Sequence, residues 1–64
     1  MKEISFDLET GVKAYIPAWI LDMFAIPHRS EIESIKEATD IEYAVAFDSG
    51  LFFIPKHLVR IAKK

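Results

Sequence analysis

Cysteine is absent from the 64-residue sequence, so neither a disulfide nor a thiolate metal site can stabilise the chain. Two histidines, His28 and His57, are too few for a zinc site without carboxylate ligands, and we expect neither a metal nor a cofactor. A domain of this length buries only about 60% of the surface that its unfolded chain exposes. Stability must therefore come from close packing or from a partner subunit, and a hydrophobic fraction of 52% suits both.

Long apolar runs and an excess of one charge are also lacking. The longest apolar run, Tyr15 to Leu21, has seven residues, whereas a membrane helix needs about 20. The start of the chain, Met1 to Ile4, has no cationic stretch followed by an apolar core, so we expect no signal peptide and a cytoplasmic protein. A formal net charge of −2 disfavours general binding to polyanions. We expect one small domain spanning residues 1–64.

The sequence contains one order of features twice. In residues 4–21, and again in residues 41–59, an apolar strand, an acid-(Ser/Thr)-Gly turn, a second strand and Ile-Pro precede a helical segment. The turns are Glu9-Thr10-Gly11 and Asp48-Ser49-Gly50, and the hairpins end at Ile16-Pro17 and Ile54-Pro55. Glycine tolerates the left-handed conformation that closes a three-residue hairpin loop. The pattern therefore predicts two β-hairpins, each followed by a helix.

The first turn predicts a register that agrees with the alternation of the strands. Apolar residues then share one face of the hairpin, and an acid faces a base on the other. The predicted pairs are Leu8 with Val12, Asp7 with Lys13 and Phe6 with Ala14.

The second turn, treated in the same way, places Phe47 opposite Leu51 and Val45 opposite Phe53. The reverse face of this hairpin is then apolar as well, and a strand pair that is apolar on both faces is covered on both. This hairpin is expected to be central in the fold or part of an interface. The residues predicted on its reverse face are Ala44, Ala46, Phe52 and Ile54.

Three helices are predicted, at Pro17–Ile26, Glu31–Thr39 and Lys56–Lys63. Proline is favourable in the first turn of a helix, and Ser30 with Glu33 forms the pattern of a capping box at the start of the second helix. The predicted fold class is α+β, in which two antiparallel β-hairpins form one sheet with helices packed on it. The element order is β-β-α-α-β-β-α.

The first predicted helix is apolar over about 220° of its circumference, far more than the roughly 100° of an ordinary surface helix. Trp19, Met23 and Ile26 lie on one side of it. A single small core cannot cover the whole helix, and exposed apolar patches usually mark interaction sites. We expect these three residues, joined by Phe52, to contact a second subunit or another protein, or to be buried against the second hairpin.

The last predicted helix carries a basic stripe, which is the candidate nucleic-acid site of the chain. Its members are Lys56, Arg60, Lys63 and Lys64. Four cations on one helix face could contact phosphates, but cations near a helix C-terminus also favour the helix dipole on a solvated face. The acidic chain favours the second interpretation, so nucleic-acid binding is not expected.

No pattern combining an acid, a base and a nucleophile is visible, and we expect no catalytic residues and no enzyme activity. His28 precedes Arg29 and Ser30 in a predicted turn, where a surface histidine is common. The acidic residues between Glu31 and Glu42 match no calcium loop, and they are typical of a solvated face.

Two resemblances concern the repeated segments. The stretch from Asp48 to Leu58, read as D-x-G-apolar-I-P-K-x-L, resembles the AbrB/MazE-type swapped-hairpin regulators, which implies a dimeric DNA-binding protein. Glu9-Thr10-Gly11 with Ile16-Pro17 and Trp19, then Gly50 with an aromatic residue and Ile-Pro, is similar to small bacterial hairpin-helix-hairpin domains of unknown function. Those domains are often found beside toxin-like genes, which implies an accessory or antitoxin-like role.

Taken with the composition, these patterns favour a small non-enzymatic protein-interaction module, homodimeric or bound to another protein. It would be antitoxin-like or a phage-type inhibitor of a host system. The alternative is an AbrB/MazE-like dimeric DNA-binding regulator.

Overall fold

A computed structural model describes residues 2–8 and 11–63 of the chain. Over these ranges the protein is mostly β, with six strands in two three-stranded antiparallel sheets and one α-helix of six residues. The elements are β1 (Glu3–Asp7), β2 (Val12–Pro17), α1 (Ala18–Met23), β3 (Ile32–Glu37), β4 (Glu42–Phe47), β5 (Gly50–Pro55), a 3-10 helix (Lys56–Leu58) and β6 (Arg60–Lys63).

The six strands form two sheets, and each sheet combines one hairpin with a strand that follows the other hairpin in the sequence. Sheet A has the order β1-β2-β6, and sheet B has the order β3-β4-β5. Both sheets and α1 contribute buried side chains to one apolar cluster, which forms the core. Its members are Phe6, Ala14, Ile16, Ile20, Leu21, Ile26, Ile32, Val45, Phe47, Ile54 and Val59.

The predicted repeat is confirmed in the backbone. Pro17 and Pro55 end their hairpins with nearly identical torsions, φ −56° and ψ 137° against φ −54° and ψ 136°. The residue after each proline donates its amide to the residue before the first strand, Ala18 to Lys2 at 2.9 Å and Lys56 to Ile41 at 2.8 Å. Each proline thus ends a strand and turns the chain into a helical segment, where its missing N–H costs no ladder bond.

The first hairpin has the predicted register, with Asp7 opposite Lys13 and Phe6 opposite Ala14. The amide of Leu8 donates to the carbonyl of Val12 at 2.9 Å, which closes the ladder. Gly11 has the predicted positive φ, 78°. Glu9 and Thr10, the other two residues of the predicted turn, lie outside the described residues.

The second hairpin has a different register from the predicted one. Its connection is the two-residue turn Asp48-Ser49, and Gly50 pairs with Phe47 as the first residue of β5. Val45 therefore faces Phe52 rather than Phe53. A one-residue slip sends every side chain of a strand to the other face of the sheet. The prediction assumed that Gly50 closes a three-residue loop with a positive φ. Gly50 does have a positive φ, 148°, but it belongs to β5 and not to the loop.

The predicted α+β fold with helices packed on a single sheet is wrong, and the segment predicted as the helix Glu31–Thr39 shows why. This segment contains β3, which pairs with β4. Ile32 and Ile35 are three residues apart, as on a helix face, yet both point inward from a strand because the register shifts between Ile32 and Ser34. A β-bulge inserts one residue and so shifts the alternation of a strand by one position.

The capping box predicted at Ser30 and Glu33 is absent, because no helix begins there. Ser30 is buried, and its amide donates to the carbonyl of Pro27 at 3.0 Å in a tight turn. Glu33 lies at the bulge of β3.

The other two predicted helices are shorter or replaced. The helix predicted over Pro17–Ile26 ends at Met23, because Ala25 has a φ of 58°. Bonds from Ile26 to the carbonyl of Leu21 at 2.8 Å and from Ala25 to that of Asp22 at 3.1 Å form a Schellman motif. In place of the helix Lys56–Lys63, a 3-10 helix is followed by β6, which pairs with β2.

We predict that asparagine substitution affects the two turn glycines unequally. Gly11 has a left-handed φ that asparagine adopts at low cost. The φ of 148° at Gly50 is available essentially to glycine alone. Gly50→Asn should therefore destabilise the fold by roughly 1–3 kcal/mol, and Gly11→Asn by less. Chemical denaturation of both variants measures this, and equal midpoints would contradict it.

Candidate interaction surface

The outer face of sheet A is polar, and its charged side chains are paired. Lys13 Nζ lies 3.8 Å from an oxygen of Asp7 on the neighbouring strand. Arg60 Nη2 donates to Glu3 Oε1 at 3.1 Å, and its guanidinium lies 4.0 Å from the centre of the Tyr15 ring. Such cross-strand pairs are what a sheet facing water uses. This face therefore shows no surplus of apolar surface.

The outer face of sheet B is apolar. In β4 and β5 the side chains of Val45, Phe47 and Ile54 are buried, so the alternate residues point outward. We call these outward residues the sheet B patch: Ala44, Ala46, Leu51 and Phe53. Leu51 is 58% exposed and Phe53 52%. An alanine of β4 lies opposite each of them, Ala46 opposite Leu51 and Ala44 opposite Phe53.

The rim of the sheet B patch carries few charges. Along β3, Ser34 pairs with Ala46 and Lys36 with Ala44. At the far end, Glu42 pairs with Pro55. Lys36 and Glu42 thus lie beside an apolar centre, and a polar rim around an apolar centre is usual in protein interfaces.

The four residues predicted to form an interface do not lie together. Trp19 and Met23 are exposed on α1, by 46% and 62%. Ile26 is 3% exposed and belongs to the core. Phe52 points inward and packs against Phe24 and Phe47, with ring centres 5.7 and 5.9 Å apart. The sequence analysis did not identify Leu51 and Phe53 as surface residues, because the predicted register of β5 was wrong by one residue and therefore placed them on the inward face.

The three described residues of the basic stripe do not share a helix face. Lys56, in the 3-10 helix, pairs with Glu37 of β3 and lies 5.4 Å from the ring centre of Tyr43. Arg60, in β6, pairs with Glu3. Lys63 is exposed at the end of β6, and Lys64 lies outside the described residues. Two of the four cations are therefore neutralised by carboxylates of the same chain.

The pair between Lys56 and Glu37 also affects the acidity of the glutamate. A hydrogen bond from Lys56, together with its positive charge, lowers the pKa of Glu37. Because the folded value lies below the unfolded one, the pair stabilises the fold above the unfolded pKa, and this contribution is lost as the pH falls through the folded pKa.

A cleft of about 850 Å³ separates the free edge of β1 from the segment that leads into β3. Its walls carry four carboxylates, those of Asp7, Glu31, Glu33 and Asp48. His28 and Arg29 also line it, and His28 Nε2 lies 2.7 Å from Asp22 Oδ1. The sequence analysis did not predict an acid beside His28. Asp22 is six positions earlier in the sequence, and the end of α1 with the following turn brings the two side chains together.

Within residues 2–8 and 11–63, no group of three or more His, Asp or Glu side chains is placed so that it could hold a metal ion. No helix in the same ranges is long and apolar enough to cross a bilayer. Comparison with protein-family models, with curated proteins and with solved structures found no match to the chain.

We predict that Lys56→Gln raises the pKa of Glu37 towards its usual range, because the hydrogen bond and the charge are both lost. A carboxyl NMR titration of the folded protein measures the change. Lys36→Gln, which removes a cation one residue from Glu37 in sequence, is the control and should leave the value where it is. An unchanged pKa in Lys56→Gln would mean that the pair does not form in solution.

We also predict that the chain does not bind duplex DNA near physiological salt, because Lys56 and Arg60 are paired internally. Phosphate binding would show as affinity that falls with salt, with a log–log slope of about −0.9 for each phosphate contacted. A salt titration by fluorescence anisotropy tests this. A salt-sensitive complex that is lost in the Arg60→Ala, Lys63→Ala double variant would contradict the prediction and favour a regulator.

Proposed function

We propose that the chain is a small non-enzymatic protein-interaction module that binds through the sheet B patch. One observation carries the proposal: the outer face of sheet A is covered with paired polar groups, whereas that of sheet B exposes Leu51 and Phe53. In a free chain the outer faces of both sheets would contact water, yet only that of sheet A is polar. The apolar outer face of sheet B is therefore expected to bind another protein surface. Contiguous apolar patches on small proteins usually have this role.

The chemistry of the patch suits a protein rather than a small molecule or a nucleic acid. It lies on the surface of a sheet, whereas small-molecule sites are concave and bury most of their ligand. Its centre carries no charge, and charged residues are depleted at the centre of protein interfaces. A desolvated phenylalanine or leucine contributes roughly 1.5–3 kcal/mol, so Phe53 and Leu51 are the expected anchors.

The biological role that we propose is antitoxin-like, or that of a phage-type inhibitor of a host system, in the cytoplasm. The similarity of the two hairpins and their Ile-Pro ends to toxin-neighbour domains supports this role, and the absence of cysteine supports the compartment. The DNA-binding regulator is the weaker hypothesis, because two cations of its candidate site already pair with Glu37 and Glu3.

Site-specific photo-crosslinking tests the proposed surface. A benzophenone amino acid replaces Phe53 on the outer face of sheet B, and in a matched variant it replaces Ser5 on the outer face of sheet A. After irradiation of producing cells, the variant at position 53 should give adducts of defined mass, and the variant at position 5 should give none. Absence of adducts from both positions, or the same adducts from both, would contradict the proposal.

A further inference from the structure

The four outermost strands of the two sheets differ in how their free edges are protected. Natural edge strands avoid pairing with other chains by carrying charges, prolines or bulges. Three of the four edges have such features. β1 contains Glu3 and Asp7; β3 contains Glu33, Lys36, Glu37 and a bulge; β6 contains Arg60 and Lys63.

β5 is the exception. Its sequence, Gly-Leu-Phe-Phe-Ile-Pro, contains no charged residue, and its pairing with β4 continues without a bulge from Gly50 to Pro55. A proline occurs only at its last position. Among the described strands β5 pairs with β4 alone, so its other edge is open. Six residues at about 3.4 Å each span roughly 20 Å, which is most of the 24–26 Å extent of the molecule.

The hydrogen bonds define which residues of β5 offer their backbone at the open edge. The amide of Lys56 donates to Ile41, and residues 56 and 41 continue the register in which Ile54 pairs with Tyr43. Bonded and non-bonded pairs alternate along an antiparallel ladder. Positions 50, 52 and 54 therefore bond to β4, whereas Leu51 and Phe53 direct their N–H and C=O groups outward. Pro55 falls at an outward position, where its missing N–H breaks no bond to β4.

We propose that β5 pairs antiparallel with β5 of a second copy of this chain, with the two-fold axis at Phe52. Leu51 then lies opposite Phe53 of the second copy, and Phe53 opposite its Leu51. These are the residues whose backbone groups point outward, so each pair exchanges two hydrogen bonds. The proposal goes beyond the proposed function, because it uses the open edge of β5 and leaves the outer face of the sheet B patch accessible to another protein.

A second copy is favoured over a foreign strand by the self-complementarity of this register. In an isologous contact residue i meets j and j meets i, and with the axis at Phe52 both outward-directed residues of β5 meet outward-directed, apolar residues of the second copy. Directly paired residues share a face, so both apolar patches join into one across a six-stranded sheet. With no charge in β5, no like charges meet within the paired strands, as they would if β1 paired with itself through Glu3 and Asp7.

Disulfide trapping tests the register, because the chain has no cysteine of its own. Leu51→Cys and Phe53→Cys chains are purified separately, mixed and oxidised. The proposed pairing brings position 51 next to position 53 of the second copy, at about 5.5 Å between Cα atoms, within the range for a disulfide. The expected product is the mixed dimer, in excess of the share that random pairing of the two chains would give. Random proportions of the three products, or no more dimer than from a Met23→Cys control, would overturn the proposal.

Sedimentation equilibrium tests the association without a crosslink. The wild type should dimerise with increasing concentration, and Phe53→Lys should remain a folded monomer, because a lysine on an edge opposes pairing. Met23→Lys changes an exposed apolar residue on α1 and should dimerise like the wild type. Loss of dimer in Met23→Lys but not in Phe53→Lys would place the contact on α1 instead. Should Phe53→Lys unfold, Leu51→Lys replaces it with the same expectation.

The two proposals fail in distinguishable ways. A wild type that stays monomeric at all concentrations overturns the pairing of two copies. If photo-crosslinking at position 53 still captures a protein of another mass in cells, the interaction surface stands and its partner is a different chain. If neither experiment detects a contact, both proposals are wrong.

Discussion

The register of the β4–β5 hairpin is the constraint on which both the core and the candidate surface depend. The two-residue turn Asp48-Ser49 places Val45 opposite Phe52, so Phe52 packs on Phe47 inside the protein and Phe53 faces outward. A three-residue turn would exchange these roles, because side chains alternate along a strand. The length of one turn therefore decides which phenylalanine stabilises the core and which is offered to a partner.

The two halves of the sequence build equivalent hairpins but use them to complete each other. The proline that ends each hairpin leads into a helical segment, which is α1 in the first half and the shorter 3-10 helix in the second. The strand that follows then joins the other hairpin: β3 pairs with β4, and β6 with β2. Each sheet thus needs both halves of the chain, which gives a short protein without disulfides a core made from long-range contacts.

The outer faces of the two sheets show how one architecture can separate stability from recognition. Sheet A covers its outer face with the Asp7–Lys13 and Glu3–Arg60 pairs, whose exposed charges contribute little stability but keep the face soluble. Sheet B has small alanines on its central strand and large apolar residues on its edge strand. Because β5 also lacks the charges that protect the other edges, the apolar face and the open edge coincide.

The sequence by itself determined the repeat, the first hairpin with its register, and the positive φ of Gly11, because these follow from local turn chemistry and strict alternation. It also indicated that the second hairpin is apolar on both faces. Only the tertiary structure decided that residues 32–37 and 60–63 are strands, since pairing with β4 and β2 overrides a helix-like spacing, and the bulge in β3 imitates that spacing. It likewise decided that Leu51 and Phe53 form the candidate surface, because a one-residue difference in turn length leaves the pattern of apolar residues in the sequence unchanged while reversing which of them face outward.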